Sequence, residues 1–126
     1  MHVLVCRLSE VYLVLKSHLK NIDVLCLTEH WLKEDYLKLI HIGQHKLVSY
    51  FSRKNRNHGG SCIYVCGWGN CTKDLNCFHD IGVEKDFEVS ITELVDYGYI
   101  IVRIYRSPNS NFWIFLKTLE LIMQKI

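Results

Sequence analysis

The chain has 126 residues, a formal net charge of +2 at pH 7, 49% hydrophobic residues and 22% charged residues. This length and composition are typical of one small globular domain and exclude a disordered chain. The near-neutral charge gives no general attraction to nucleic acid, so only a local cluster of basic residues can provide one.

Targeting and membrane signals are also absent from the sequence. No apolar run approaches the ~18 residues that a membrane span needs. Arg7 and Glu10 interrupt the apolar stretch that a signal peptide requires. We therefore expect a soluble intracellular protein, in the nucleus or cytoplasm, whose six cysteines stay reduced and which has no membrane partner.

Hydrophobic periodicity predicts the elements in chain order. The N-terminal half gives a helix over 8–20 with Ser9 as its cap, a strand over 22–29 that is buried on both faces, a short helix over 34–40 and a strand over 46–52. The C-terminal half gives strands over 61–66, 87–94 and 99–105, and a last helix capped by Ser110 or Asn111. Residues 67–80 contain turn formers and yield no prediction.

Strands joined by short turns predict a largely antiparallel sheet with helices packed against it. The predicted fold class is α+β, in the form of a layered α/β sandwich. The sequence has one proline, no repeat and no linker, so we expect residues 1–126 to form one unit.

Two strands end in polar side chains that are suited to phosphate chemistry. Glu29 closes the buried strand, where a rigid carboxylate can bind a hard cation such as Mg²⁺; the alternative is an ion pair with a lysine or arginine. Tyr105 and Arg106 close the 99–105 strand, where a hydroxyl can donate to a phosphate and a guanidinium can neutralise its charge. A tyrosine bonded to backbone is the alternative there.

The loop 53–60 collects Arg53, Lys54, Arg56 and His58 before two glycines. Clustered cations on a flexible loop can follow a phosphate backbone, so Arg53 and Arg56 are candidate DNA contacts. A solvated loop tip is the alternative interpretation.

The cysteines and histidines between positions 58 and 79 raise the alternative of a zinc site. They are His58, Cys62, Cys66, Cys71, Cys77 and His79. Cys62 and Cys66 lie far apart along one predicted strand, whereas zinc ligands usually pair on a tight turn, which disfavours zinc. Cys6 and Cys26 are predicted to be small core residues.

Three segments in order carry a resemblance to a known family. They are Ile22-Asp23-Val24-Leu25-Cys26-Leu27-Thr28-Glu29-His30-Trp31-Leu32, His58-Gly59-Gly60-Ser61-Cys62-Ile63-Tyr64-Val65 and Tyr99-Ile100-Ile101-Val102-Arg103-Ile104-Tyr105-Arg106-Ser107-Pro108. Together they resemble the N-terminal half of the endonuclease domain of jockey-like non-LTR retrotransposons, in the endonuclease/exonuclease/phosphatase family.

The resemblance implies a deoxyribonuclease-I-like sandwich that hydrolyses DNA phosphodiesters with a divalent cation, here Mg²⁺. It implies that Glu29 is a metal ligand and that the Tyr105 hydroxyl contacts the scissile phosphate. The family's active-site asparagine aligns near His2, and the Gly-Asp-x-Asn and Ser-Asp-His motifs are not found, so we expect no activity from this chain alone.

In the family each half contributes one sheet, so half of the sandwich is expected to expose an apolar sheet face and to self-associate. The alternative function is a domesticated, non-catalytic interaction module that reuses this surface.

Overall fold

A computed structural model describes residues 1–7, 21–67, 71–75, 78 and 80–126. The strands within these residues are β1 Val3–Arg7, β2 Val24–Thr28, β3 His45–Phe51, β4 Ser61–Cys66, β5 Thr72–Asp74, β6 Glu88–Leu94 and β7 Tyr99–Tyr105. The helices are α1 Glu34–Leu37 and α2 Phe112–Lys125, and a 3-10 turn spans Val95–Tyr97.

The strands form two sheets. The first sheet has the order β1-β2-β4-β3, and the second sheet has the order β5-β6-β7. Only β1 and β2 pair in parallel; the other pairs in both sheets are antiparallel. β2 lies in the middle of the first sheet with all five of its residues buried, as its continuous apolar run predicts.

The two sheets pack face to face. Alternate side chains of β2 and β4 point toward the second sheet and meet Leu94 and the half-buried Ile101. The buried residues of this inner layer are Val24, Cys26, Ile63, Val65 and Leu94. Burial raises the pKa of the Cys26 thiol to about 11, so this thiol stays protonated as part of the core.

Each sheet also has an apolar outer face. The first sheet packs against Leu37 of α1 and against Ile42, through side chains such as Leu25, Leu27 and Tyr64. The second sheet packs against α2 through Ile122 and the half-buried Phe115 and Leu119. Asn111 caps α2, because its side-chain oxygen accepts hydrogen bonds from the amides of Trp113 (3.0 Å) and Ile114 (3.3 Å).

The predicted α+β class is confirmed, and so are the strands over 22–29, 46–52, 61–66, 87–94 and 99–105. The helix predicted over 34–40 is shorter, at four residues. The helix predicted over 8–20 lies outside the described residues. Hydrophobic periodicity did not predict β1 or β5. β5 is polar and short, and pairing with β6 explains why it is a strand.

The expectation of a bare apolar sheet face is wrong for this chain. β6 and β7 fold back over the first sheet instead of extending it, and the inner side chains of β2 and β4 are buried as a result. The exception is β1 at the sheet edge, where Val3 is 46% exposed and Val5 is 51% exposed. Among the described residues, no helix is long and apolar enough to cross a membrane.

Candidate functional site

The layer between the two sheets is apolar at one end and polar at the other. The polar end lies where β2 and β7 finish and β4 and β6 begin. There Ser61 and Ser90 share a 2.7 Å hydrogen bond, and Arg103 donates to the Thr28 hydroxyl at 3.3 Å. Polar side chains thus line the interior directly beneath the sandwich end that carries Glu29 and Tyr105.

Glu29 and Tyr105 meet at this end, although 76 positions separate them in the chain. The Tyr105 hydroxyl donates a 2.7 Å hydrogen bond to Glu29 Oε1. Arg7, the last residue of β1, forms an ion pair at 2.8 Å with the other carboxylate oxygen. Three strands of two sheets therefore place a carboxylate, a phenol and a guanidinium together, and sequence reasoning had not predicted Arg7.

Tyr105 is a hydrogen-bond donor in this group. Burial raises the pKa of its phenol above the ordinary value, and the hydrogen bond to Glu29 raises it further. The hydroxyl therefore keeps its proton at neutral pH. A protonated phenol can donate to a carboxylate, as here, or to a phosphate oxygen.

Backbone strain is concentrated around the same end. The non-glycine residues with positive φ are Glu29 (53°), Trp31 (60°), His58 (70°) and Lys85 (73°) among those described. The Lys85 carbonyl accepts a hydrogen bond from the Ser107 amide at 2.9 Å, which ties it to the turn after β7. Such conformations cost about 1–3 kcal/mol each and are concentrated at functional sites.

Hydrogen bonds hold the strained backbone in place. The Glu29 amide donates to the Gly60 carbonyl at 2.8 Å, and the Trp31 amide donates to the Gly59 carbonyl at 3.0 Å. Lys33 Nζ donates to the carbonyls of Arg53 (2.8 Å) and Arg56 (2.6 Å). The segment after β2 and the loop before β4 are therefore fastened to each other.

Arg53 belongs to the interior, which corrects its interpretation as a DNA contact. Its guanidinium donates to both carboxylate oxygens of the fully buried Glu88 and to the Ser107 hydroxyl at 2.8 Å. It also donates to the Asn57 carbonyl at 3.1 Å. Arg53 thus connects the end of β3, the start of β6 and the turn after β7, and it is 8% exposed.

The glycine pair serves close packing, and not the flexibility expected of it. A Cβ on Gly59 would lie 2.2 Å from the Arg53 guanidinium, and a Cβ on Gly60 would lie 2.3 Å from the His30 ring. Both glycines also have positive φ, at 65° and 96°. Only glycine allows the two side chains to approach the backbone this closely.

His30 is a buried structural residue. Its Nδ1 accepts the Leu32 amide proton at 3.0 Å, so the proton lies on Nε2, which donates to the Phe51 carbonyl at 2.9 Å. Burial lowers the pKa of the imidazole, and the hydrogen bond to Phe51 opposes this effect less strongly. His30 is therefore a neutral ring that ties the segment containing Glu29 and Trp31 to the end of β3.

The other two predicted substrate contacts have different locations. Arg56 is exposed on the loop, as predicted. Arg106 is the first residue after β7, and its side chain lies against α2. Its guanidinium lies 5.3 Å from the Phe112 ring centroid and donates to Ser110 at 3.3 Å. Arg106 thus packs on α2, and its contact with a phosphate stays a prediction.

His2 lies at the wrong end of β1 to stand for an active-site residue. Its amide donates to the Asp23 carboxylate at 2.8 Å, next to the start of β2. Five strand residues separate it from the end that carries Glu29, a distance of about 16 Å. The residue of β1 that reaches Glu29 is Arg7, at the opposite end of the strand from His2.

An exposed aromatic pair borders the site. The rings of Trp31 and His58 stack with centroids 4.2 Å apart and planes 19° apart. Trp31 is 60% exposed and lies two residues beyond Glu29. The sequence singled out Trp31 only as a motif position and His58 as a motif, basic-loop and zinc-alternative residue, and nothing in it indicates that the two rings meet.

The donor set around Glu29 fits a magnesium ion in part. A carboxylate offers about four lone pairs, and Tyr105 and Arg7 occupy one on each oxygen. Mg²⁺ often binds one or two carboxylates together with waters and substrate phosphates. No group of three or more His, Cys, Asp or Glu side chains suited to a metal is found among the described residues, and Cys77 and His79 of the zinc alternative lie outside them.

Comparison with known proteins gives no relative. No protein-family model, curated protein or solved structure matches the chain.

Proposed function

We propose that this chain is part of a divalent-metal-dependent DNA endonuclease domain with a deoxyribonuclease-I-like fold, derived from a non-LTR retrotransposon. The observation that carries the proposal is the 2.7 Å hydrogen bond between Tyr105 and Glu29. The family resemblance assigns these two residues to one phosphate site, and their contact across the two sheets supports that assignment.

Each residue of the group has a role in holding a phosphodiester. Glu29 would hold Mg²⁺, which neutralises phosphate charge when it is bound. The Tyr105 hydroxyl would transfer its hydrogen bond from Glu29 to a phosphate oxygen. Arg7, whose side chain is 64% exposed, can leave Glu29 and pair with the phosphate instead.

We further propose that the chain binds DNA without hydrolysing it. Hydrolysis needs a group that takes a proton from the attacking water. Tyr105 keeps its own proton, arginine is always protonated, and the Glu29 carboxylate is engaged as the proposed Mg²⁺ ligand once Tyr105 and Arg7 turn to the phosphate. None of the three is therefore a free base.

The test measures DNA binding and DNA cleavage on the purified 126-residue chain. Fluorescence anisotropy with a labelled 20-base-pair duplex is compared in Mg²⁺ and in EDTA, for the wild type and for Glu29→Gln. We expect Mg²⁺ to strengthen binding by the wild type at least threefold and to have no effect on Glu29→Gln. Equal binding by both proteins in both buffers would overturn the metal role of Glu29.

A plasmid-nicking assay on the same samples tests the second part of the proposal. We expect no nicking in Mg²⁺. Nicking that EDTA abolishes would show that the chain completes a catalytic site. The gel-filtration elution volume of the same samples tests self-association, which we propose because Val3 and Val5 of β1 are exposed. Elution as a monomer would overturn that part.

A further inference from the structure

The stacked rings of Trp31 and His58, called here the aromatic platform, have no structural explanation in the core. Trp31 belongs to none of the three apolar clusters of the described residues and is 60% exposed. His58 is exposed as well. A tryptophan that contributes to folding normally buries most of its ring, and this one does not.

Both platform residues also have unfavourable backbone conformations. Trp31 has φ 60° and His58 has φ 70°, a region that large side chains rarely adopt. The hydrogen bond from the Trp31 amide to the Gly59 carbonyl, with the close packing of His30 and Arg53 on the glycine pair, maintains these conformations. The fold therefore tolerates unfavourable backbone conformations at Trp31 and His58, and these conformations fix the orientation of two exposed rings.

The position of the aromatic platform indicates its ligand. Trp31 lies two residues beyond Glu29, so their Cα atoms are at most about 7 Å apart. The exposed guanidinium of Arg7 lies against Glu29, and the exposed Arg56 lies two residues before His58. A flat aromatic surface beside cationic groups suits a molecule that joins a π-face to a phosphate, as a nucleotide does.

We propose that the aromatic platform binds an unpaired base of a DNA strand by stacking, and so positions the adjoining phosphate at Glu29 and Tyr105. A paired base keeps both faces within the duplex, so the ligand is a base in single-stranded or locally opened DNA. Every base has a π-face, so the platform selects for an unpaired base and not for a sequence. The choice of phosphate rests on the proposed function, whereas base stacking does not.

The experiment compares two labelled twelve-nucleotide probes of equal charge, oligothymidine and a strand made wholly of abasic tetrahydrofuran units. Anisotropy titrations use the full chain in EDTA, which removes any metal contribution. We expect the wild type to bind oligothymidine about tenfold more tightly than the abasic strand, since stacking on one aromatic residue contributes between about fivefold and a hundredfold.

The decisive variant is Trp31→Gly, because glycine accepts the positive φ without strain and the fold should be at least as stable. We expect it to bind oligothymidine about tenfold more weakly and the abasic strand as before. Trp31→Phe should keep most of the affinity. Trp113→Ala is the matched control, because Trp113 is 71% exposed on α2, and it should change neither affinity.

Unchanged oligothymidine binding by Trp31→Gly would overturn the proposal, and so would an equal loss for both probes. The result is separable from the proposed function. If Mg²⁺ and Glu29→Gln have no effect on DNA binding while Trp31→Gly loses base binding, the metal site fails and the aromatic platform stands. If Mg²⁺ strengthens DNA binding through Glu29 while Trp31→Gly binds oligothymidine as the wild type does, the metal site stands and the aromatic platform fails.

Discussion

Replacing Arg53 with methionine tests the buried ion pair that connects the two sheets. In this variant the Glu88 carboxylate, which is fully buried, loses the guanidinium that contacts both of its oxygens. Removing one partner of a buried pair costs about 3–5 kcal/mol, because the remaining charge has no counter-charge. A domain of this size is stable by about 5–15 kcal/mol, so the loss is a large fraction of the total.

Urea denaturation followed by circular dichroism measures the effect. With a slope of about 2 kcal/mol per molar urea, the midpoint of Arg53→Met should fall by about 1.5–2.5 M. The double variant Arg53→Met/Glu88→Leu removes both charges and should recover most of that loss. Lys38→Met is the control, since the exposed Lys38–Glu34 pair should give no resolvable shift.

The size of the recovery decides the interpretation. If the double variant is as unstable as Arg53→Met, the loss comes from the packing of the arginine side chain and not from an isolated carboxylate. If Arg53→Met itself shifts the midpoint by less than about 0.5 M, Glu88 reaches solvent or another partner, and the pair does not hold the sheets together.

Two further predictions concern the support beneath the site. In thermal melts, Gly60→Ala should lower the free energy of unfolding by about 2–5 kcal/mol, because its Cβ would meet the His30 ring at 2.3 Å and alanine disfavours φ 96°. Gly98→Ala is the control, because Gly98 has positive φ but nothing within 4 Å of the added Cβ. It should lower the free energy of unfolding by only about 1–2 kcal/mol. Similar losses for the two variants would contradict the close packing of His30. Burial lowers the pKa of His30 in the folded chain, so as the pH falls the unfolded chain takes up a proton at this residue before the folded chain does. The contribution of His30 to stability is therefore complete above about pH 6.5, and it is lost as the pH falls from there through the folded pKa. Melting temperatures measured between pH 7.5 and 5 should show this decline, and His30→Gln should flatten it; an unchanged slope in His30→Gln would assign the pH dependence to another group.

The strands could be predicted from the sequence wherever burial alone determines them. β2, β4 and β7 are predominantly apolar segments bounded by polar residues, and their predicted bounds agree with the structure to within two residues. β5 could not be predicted, because Thr72–Asp74 is polar and its conformation depends on pairing with β6. The expectation of a bare sheet face was wrong, because no local sequence pattern shows that β6 and β7 return over the first sheet.

Part of the candidate site could likewise be predicted from local sequence, and part of it depends on contacts between distant segments. Glu29 and Tyr105 each end an apolar strand, so the sequence identified both, and the structure brings them together. Arg53 was misjudged because a basic loop residue looks solvated, and its partner Glu88 lies 35 positions away. The packing of Arg106 on Phe112 could not be predicted either, because it depends on where α2 lies after the turn that follows β7.

The 76-residue separation of Glu29 and Tyr105 has a consequence for how the chain folds. The first sheet can form its antiparallel pairs from nearby segments, but the carboxylate and the phenol meet only after β7 has been made and the second sheet has docked. Closing so long a loop is slow relative to forming hairpins. We therefore expect the contact between Glu29 and Tyr105 to form later in folding than the hairpins of either sheet.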